Sequence, residues 1–166
     1  EKAALVTGGS SGIGFAIARM LREEGFALTL VSRRREKVEA AAAELDALAV
    51  SADLSGEDDC RRAVDEHHRR HGRLDVLVNS ARIGVAGPID ELATKHIDLQ
   101  IDVNLRGTLL MTAAALPLLR EAHGFVVNLA SIAGTMATPE LPVYGATKAA
   151  VIQFTKSAAI ELAHHE

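Results

Sequence analysis

The sequence predicts an α/β protein in which a doubly wound parallel β-sheet carries helices on both faces. Five short apolar runs are continuous rather than alternating, which is typical of strands that are covered on both faces. Between these runs lie longer segments with the period of amphipathic helices, and such strand–helix alternation favours a parallel sheet with right-handed crossovers. A glycine-rich turn joins the first strand to the first helix. In sheets of this kind ligands bind at the carboxyl ends of the strands.

The predicted elements alternate along the whole chain. The strands are expected at 3–6, 27–32, 47–52, 75–80 and 125–131. The helices are expected at 13–25, 34–46, 56–71, 95–122 and 144–164. No linker or low-complexity segment separates these elements, so residues 1–166 are predicted to form a single domain.

Composition argues against several classes of protein. The net charge is −4 and the basic residues are interspersed with acids, so no basic surface for nucleic acid is expected. No apolar run reaches the roughly 18 residues that a membrane helix needs. The single cysteine, Cys60, has no partner for an internal disulfide and suits a reducing compartment. We therefore expect a cytoplasmic protein that binds neither nucleic acid nor a membrane.

The segment TGGSSGIG, at 7–14, follows the first predicted strand and opens the first predicted helix. Its glycines permit a tight turn, a close approach of backbone amides to a diphosphate, and close packing of the helix on the sheet. The start of that helix offers unpaired N–H groups to an anion. The sequence thus predicts a dinucleotide site whose members are Gly8, Ser10, Ser11, Gly12, Ile13 and Gly14. The alternative is a glycine-rich turn that serves only the topology of the chain.

A second motif, VYGATKAA at 143–150, contains the only tyrosine of the chain. Tyr144 and Lys148 are four residues apart, so they lie on one face of the predicted helix. A cation in that position favours the phenolate form and so suits an acid–base catalyst. The alternative is a surface helix with two amphipathic side chains.

The combination Thr-Gly-x-x-x-Gly-x-Gly and Tyr-x-x-x-Lys resembles the short-chain dehydrogenase/reductase family, from Ala3 to about Ala163. The resemblance implies a Rossmann-type domain that binds a nicotinamide dinucleotide. It also implies hydride transfer between the nicotinamide and a small-molecule carbonyl or secondary alcohol.

The same resemblance assigns roles to four residues. Tyr144 would act as general acid or base, and Lys148 would favour its phenolate and hydrogen-bond the nicotinamide ribose. Ser131, thirteen residues before Tyr144, would donate a hydrogen bond to the substrate oxygen. Asn104 would hold a water that connects the lysine to solvent. In the cofactor site the family pattern matches Asp53 and Leu54 to the adenine contacts, and it also points to Asn79 and Ala81. Asp53 is equally suited to cap a helix that starts near Ser55.

The residues after the second strand indicate which cofactor is bound. Where an NAD-binding chain usually has an acid, this sequence has Ser32, Arg33 and Arg34. A guanidinium pairs with a 2′-phosphate whereas a carboxylate repels it, so NADP(H) is expected over NAD(H), with Arg33 as first choice and Arg34 as second. The alternative is a solvated basic start to the second helix.

Two features depart from the family pattern. Asn79-Ser80-Ala81-Arg82 replaces the usual Asn-Asn-Ala-Gly, and a bulky Arg82 is expected to clash, to need a positive φ, to swing out, or to reach the cofactor's phosphates. The family's last strands and substrate lid have no counterpart in the given chain, which therefore looks truncated. These departures support a rival hypothesis, an inactive nucleotide-binding or scaffold protein that keeps the fold.

Two further patterns, a histidine cluster and two apolar helices, are less specific. Histidines 67, 68 and 71 lie within about one helical turn beside arginines, and we expect them on a solvated helix face rather than at a metal. The helices near 105–119 and 149–162 are apolar over more than one face. Core burial accounts for part of that, and a homo-oligomer interface is expected to account for the rest.

Overall fold

The computed structural model describes residues 1–163, which form a parallel five-stranded sheet in the order β3-β2-β1-β4-β5. The strands are β1 (Ala3–Thr7), β2 (Ala27–Ser32), β3 (Leu48–Ser51), β4 (Val76–Asn79) and β5 (Phe125–Asn128). All five predicted strands are confirmed. The largest difference is at the end of β5, because the chain leaves the sheet after Asn128 and enters a 3₁₀ turn, Ile132–Gly134.

Helices connect the strands in the predicted order. They are α1 (Gly12–Glu23), α2 (Arg35–Leu45), α3 (Glu57–His71), α4 (Thr94–Ile101), α5 (Gly107–Ala122) and α6 (Pro142–Leu162). The single helix predicted at 95–122 is wrong in one respect, since a π-helical turn, Asp102–Arg106, separates α4 from α5. The predicted final residue of the last helix, His164, lies outside the described residues.

Two apolar clusters cover the two faces of the sheet. Alternate side chains of β1 point to opposite faces, so Leu5 joins one cluster while Ala4 and Val6 join the other. The Leu5 cluster includes apolar side chains of α3 and α5, and the other includes side chains of α1 and α2. Burial of the strands on both faces explains why their sequences are continuous apolar runs.

Of the three histidines of α3, His68 is exposed as predicted and His71 is half-buried, but His67 contradicts the prediction of a solvated face. His67 is fully buried, with Nδ1 2.8 Å from the Thr29 hydroxyl and Nε2 2.9 Å from the Arg73 carbonyl oxygen. Because a carbonyl only accepts, Nε2 carries the proton and Nδ1 accepts from Thr29. Burial lowers the pKa of His67 to about 4, so the ring is neutral. Among residues 1–163 no group of three or more potential ligands is placed to hold a metal ion.

Two further observations concern the edge of the sheet and the length and hydropathy of the helices. β5 forms one edge of the sheet, and Phe125 and Val127 on it are exposed. None of the helices within residues 1–163 is both long enough and apolar enough to span a membrane.

Candidate active site

A cleft of about 980 Å³ lies at the carboxyl ends of the strands. It opens where the strand order reverses, since the chain runs outward from β1 to β2 and β3 on one side and continues through β4 and β5 on the other. A crevice at such a switch point is where open α/β sheets bind their ligands. All predicted site residues except Asn79 and Asn104 line it: Gly8, Ser10, Ser11, Gly12, Ile13, Gly14, Arg33, Arg34, Asp53, Leu54, Ala81, Ser131, Tyr144 and Lys148.

The glycine loop, which follows the central strand β1, is tightly wound. Gly8 has a φ of 64°, which favours glycine. A Cβ added to Gly14 would lie 2.4 Å from the carbonyl oxygen of Gly8, so the first turn of α1 packs directly on the loop. These contacts confirm that glycine is needed at both positions for steric reasons, not merely tolerated there.

The start of α1 is arranged as an anion site. Ser11 is the N-cap residue, yet its side chain makes no capping hydrogen bond. The N–H groups of the first helical turn therefore have no acceptor on the Ser11 side chain, and the residues of that turn, Gly12, Ile13 and Gly14, line the cleft. Ser10 donates to the Ser32 hydroxyl at 2.9 Å, which ties the loop to the end of β2. A cofactor diphosphate fits this cradle of free amides.

Basic side chains gather where β2 meets α2. Arg33 and Arg34 are exposed at the cleft, and no carboxylate within residues 1–163 lies within 4.0 Å of either one. Lys37 also lines the cleft, and the sequence analysis missed it. Its position three residues after Arg34, on the first turn of α2, was the available signal. The three cations are free to bind a phosphate.

The chain turns at Asp53, between β3 and α3. Asp53 Oδ1 accepts hydrogen bonds from the backbone N–H and the hydroxyl of Ser55, at 3.1 and 2.8 Å. The predicted helix cap is wrong in detail, because α3 starts at Glu57 and its N-cap residue is Gly56. Asp53 instead stabilises the turn before the helix, and both Asp53 and Leu54 line the cleft.

The tyrosine, lysine and serine of the candidate catalytic set line the cleft on its β5 side. Lys148 is 3% exposed, and its Nζ lies 5.9 Å from the centre of the Tyr144 ring. The Lys148 ammonium donates to the Leu129 carbonyl at 2.6 Å, which fixes its position beside β5. Burial, and secondarily the charge of Arg82, lowers the pKa of Lys148. Pro142 begins α6, so Tyr144 and Lys148 are one turn apart near its N-terminus.

Ser131 has a free hydroxyl proton at the cleft. Its Oγ accepts a hydrogen bond from the Ala133 N–H at 3.2 Å, at the start of the 3₁₀ turn. Because that bond uses an oxygen lone pair, the hydroxyl hydrogen can be donated to a ligand oxygen. The serine is therefore oriented as a donor.

Asn104 lies beneath the cleft, fully buried in the π-helical turn. Its Oδ1 accepts from the Ile83 N–H at 2.8 Å, and its Nδ2 donates to the Ile83 carbonyl at 2.8 Å and to the Thr147 hydroxyl at 3.2 Å. The side chain thus holds the loop after β4 against α6. The water expected at this residue stays a prediction, but both N–H donors of the side chain are already used.

Asn79, at the end of β4, is also buried rather than exposed to the cleft. Its Nδ2 donates to Asn128 Oδ1 at 2.8 Å and to the Thr112 hydroxyl at 3.1 Å. Asn128 in turn donates to the Thr155 hydroxyl at 2.9 Å. Asn79 therefore ties β4 to β5 and α5, and it supports the site from behind.

Arg82 replaces the glycine of the family pattern without strain in its backbone. It is not among the residues with positive φ, and its side chain is exposed along the cleft. The positive φ considered for Arg82 is therefore not adopted, while a clash with the cofactor and a contact with its phosphates stay predictions. The neighbouring Ala81 packs its backbone against Gly8, so the segment after β4 touches the glycine loop.

Comparisons with known proteins agree with this architecture. An uncharacterized oxidoreductase of Staphylococcus epidermidis is 43% identical over 98% of this chain and 72% of its own length. One from Staphylococcus aureus is 37% identical over 98% of this chain and 72% of that protein. An alcohol dehydrogenase from the archaeon Thermococcus sibiricus, solved with 5-hydroxy-NADP, superposes with a TM-score of 0.93 at 30% identity. That match covers 96% of this chain and 71% of the archaeal chain. A short chain dehydrogenase family model matches residues 2–166. The chain therefore belongs to the short-chain dehydrogenase family of oxidoreductases, with a Rossmann-like fold.

Proposed function

We propose that this oxidoreductase uses NADP(H) to interconvert a small-molecule carbonyl and a secondary alcohol, with Tyr144 as the general acid or base. One observation carries the proposal: a single cleft is lined both by the glycine loop after β1 and by Ser131, Tyr144 and Lys148 on the β5 side. A bound nicotinamide supplies or accepts the hydride, and this chain's residues position the carbonyl and move the proton.

Each residue of the set has a distinct task. Ser131 donates its free hydroxyl proton to the carbonyl oxygen and holds it in line. Tyr144 delivers the second hydrogen bond and the proton to the same oxygen during reduction, and it takes the proton back during oxidation. Lys148, fixed by the Leu129 carbonyl, places a positive charge beside the phenol and favours the phenolate that remains.

The preference for NADP(H) rests on charge. Arg33, Arg34 and Lys37 line the cleft at the end of β2, and no acid replaces them there. A 2′-phosphate gains charge-assisted hydrogen bonds from guanidinium groups. The archaeal relative solved with 5-hydroxy-NADP supports the same cofactor class.

The test compares turnover with binding in one variant. Tyr144→Phe removes the hydroxyl and leaves the ring, so reduction of a panel of ketones and aldehydes should fall by about 10²-fold or more. Binding of NADPH, followed by nicotinamide fluorescence, should stay within about twofold of wild type. Thr135→Val, a change to an exposed residue outside the cleft lining, is the control and should retain turnover. Binding without turnover in the wild-type protein would instead support the inactive nucleotide-binding or scaffold protein.

We also propose that the protein self-associates through the helices near 105–119 and 149–162. Leu109 on α5 and Ile160 on α6 are 36% and 70% exposed, and apolar side chains on helices favour burial against another copy. Light scattering after size exclusion measures the mass. A monomeric mass at micromolar concentration would reject this part of the proposal.

A further inference from the structure

Arg82 is a cation in the cleft that the proposed catalytic set does not use. It stands at the glycine position of the family pattern, and its exposed side chain lines the cleft. Within residues 1–163 no carboxylate lies within 4.0 Å of its guanidinium, and no hydrogen bond from its side chain is formed. A long cationic side chain in a binding cleft, without an acidic partner, is available for an anionic ligand.

The backbone on both sides of Arg82 is fixed. On one side, Ala81 packs against the glycine loop so closely that a Cβ on Gly8 would lie 2.8 Å from the Ala81 nitrogen. On the other side, Asn104 binds both the N–H and the carbonyl of Ile83 at 2.8 Å. Little conformational freedom of the main chain is therefore lost when the side chain binds a ligand.

The position of Arg82 indicates which phosphate group of a bound dinucleotide it would contact. The preceding residue, Ala81, contacts the glycine loop, where the amides at the start of α1 are available to bind a diphosphate. Arg33, Arg34 and Lys37 belong to a different strand end, at β2. The positive charge of Arg82 also contributes to lowering the pKa of Lys148. Arg82 thus lines the same cleft as the glycine loop and Lys148, and it directly follows the residue that packs on Gly8.

We propose that Arg82 is a further cofactor-binding residue, which pairs with the diphosphate of the dinucleotide from the β4 side of the cleft. The inference rests on the proposed function, because it requires that a nicotinamide dinucleotide binds in this cleft. Arg82 then adds a charged contact where the glycine loop offers only uncharged groups.

The proposal predicts how substitutions change the affinities for NADH and NADPH. NADH and NADPH share the diphosphate, whereas only NADPH carries the 2′-phosphate. Arg82→Gln should therefore weaken both dinucleotides by the same factor, about tenfold for a charge-assisted contact at a partly exposed site. Arg33→Gln is the matched control: it removes an equally exposed cation, and it should weaken NADPH while leaving NADH unchanged.

Isothermal titration calorimetry measures these affinities without turnover. The full protein is titrated with NADPH, with NADH and with 2′-AMP, which lacks the diphosphate. Arg82→Gln should leave 2′-AMP binding unchanged, and Arg82→Lys, which keeps the charge, should recover part of the lost affinity. Far-UV circular dichroism checks that each variant keeps the wild-type fold.

Several outcomes would overturn the inference. Unchanged affinity of Arg82→Gln for both dinucleotides would show that the guanidinium makes no contact with either, and a loss confined to NADPH would assign Arg82 to the 2′-phosphate. An effect seen only as a raised KM for a carbonyl substrate with an anionic group would assign it to the substrate. If wild-type protein binds neither dinucleotide, the proposed function fails together with this inference. Binding that depends on Arg82 in a protein without turnover would reject only the proposed catalysis.

Discussion

The contact between Asn104 and the loop after β4 provides the sharpest test of how the site is held together. Asn104→Ala removes the partner of the Ile83 N–H and the partner of the Ile83 carbonyl, both bonded at 2.8 Å. A backbone polar group that loses its buried partner costs about 1–3 kcal/mol. Since Ile83 is half-buried, the lower half of that range applies to each group. We therefore expect the free energy of unfolding to fall by about 3 kcal/mol.

Two matched variants test whether the loss of stability follows the number of loop backbone groups that lose their partner. Gln100 is also fully buried, but it supports the loop through one backbone group, the Val85 N–H at 3.1 Å. Gln100→Ala should therefore cost about half as much as Asn104→Ala. Gln153 lies exposed on α6, and Gln153→Ala should change the stability by less than about 0.5 kcal/mol.

Urea unfolding followed by far-UV circular dichroism measures all three variants, because the chain has no tryptophan. Hydrogen exchange adds a local readout, since the Ile83 amide should exchange faster in Asn104→Ala. The reasoning is refuted if Asn104→Ala is as stable as Gln153→Ala. It is also refuted if Gln100→Ala is the more damaging of the two buried changes.

Three other perturbations have outcomes set by local geometry. Gly14→Ala should reduce the stability and the affinity for dinucleotide, because its Cβ would meet the carbonyl oxygen of Gly8 at 2.4 Å; urea unfolding should give a loss of about 2–3 kcal/mol. His67 takes up a proton in the unfolded chain near pH 6.5 but in the folded chain only near pH 4, so its contribution to stability is full above pH 6.5 and declines below it. At pH 5 the decline should reach about 2 kcal/mol relative to pH 7.5, by urea unfolding of wild type against His67→Gln. Cys60 is fully buried and the pKa of its thiol is raised to about 11, so a disulfide reagent at neutral pH should label it only when the protein unfolds.

Each of these has its own control. Gly12→Ala should cost only about 1 kcal/mol, because its positive φ is strained but no atom lies within 4 Å of the added Cβ; equal losses at the two glycines would contradict the steric account. The histidine account fails if the stability difference between wild type and His67→Gln is independent of pH. Rapid labelling of Cys60 in the native protein, at the rate found in denaturant, would contradict its burial.

The parts of the fold that follow from local pattern were accessible from the sequence. Apolar runs located all five described strands, because burial on both faces leaves no polar alternation. The π-helical turn was not accessible, since it accompanies contacts between Asn104 and Ile83, 21 residues away in the chain. The burial of His67 was missed for a similar reason, because its partner Thr29 lies on another element, 38 residues away.

The candidate site likewise has residues that could be predicted from the sequence and residues that could not. Motif spacing located the glycine loop and the tyrosine–lysine pair, since both depend on short-range geometry. Lys37 was missed because its relation to the cleft depends on how α2 packs on the sheet. The orientation of Arg82 was left open between four outcomes, and it follows from the anchoring of Ala81 and Ile83 by distant residues.

The most direct test of the central claim is a titration of this protein with NADPH and, separately, with NADH, followed by nicotinamide fluorescence. The cleft described here should bind NADPH more tightly than NADH, by about tenfold for the contacts to the 2′-phosphate. Failure to bind either dinucleotide would contradict the assignment of the cleft as a cofactor site, and tighter binding of NADH would contradict the role of the basic residues after β2.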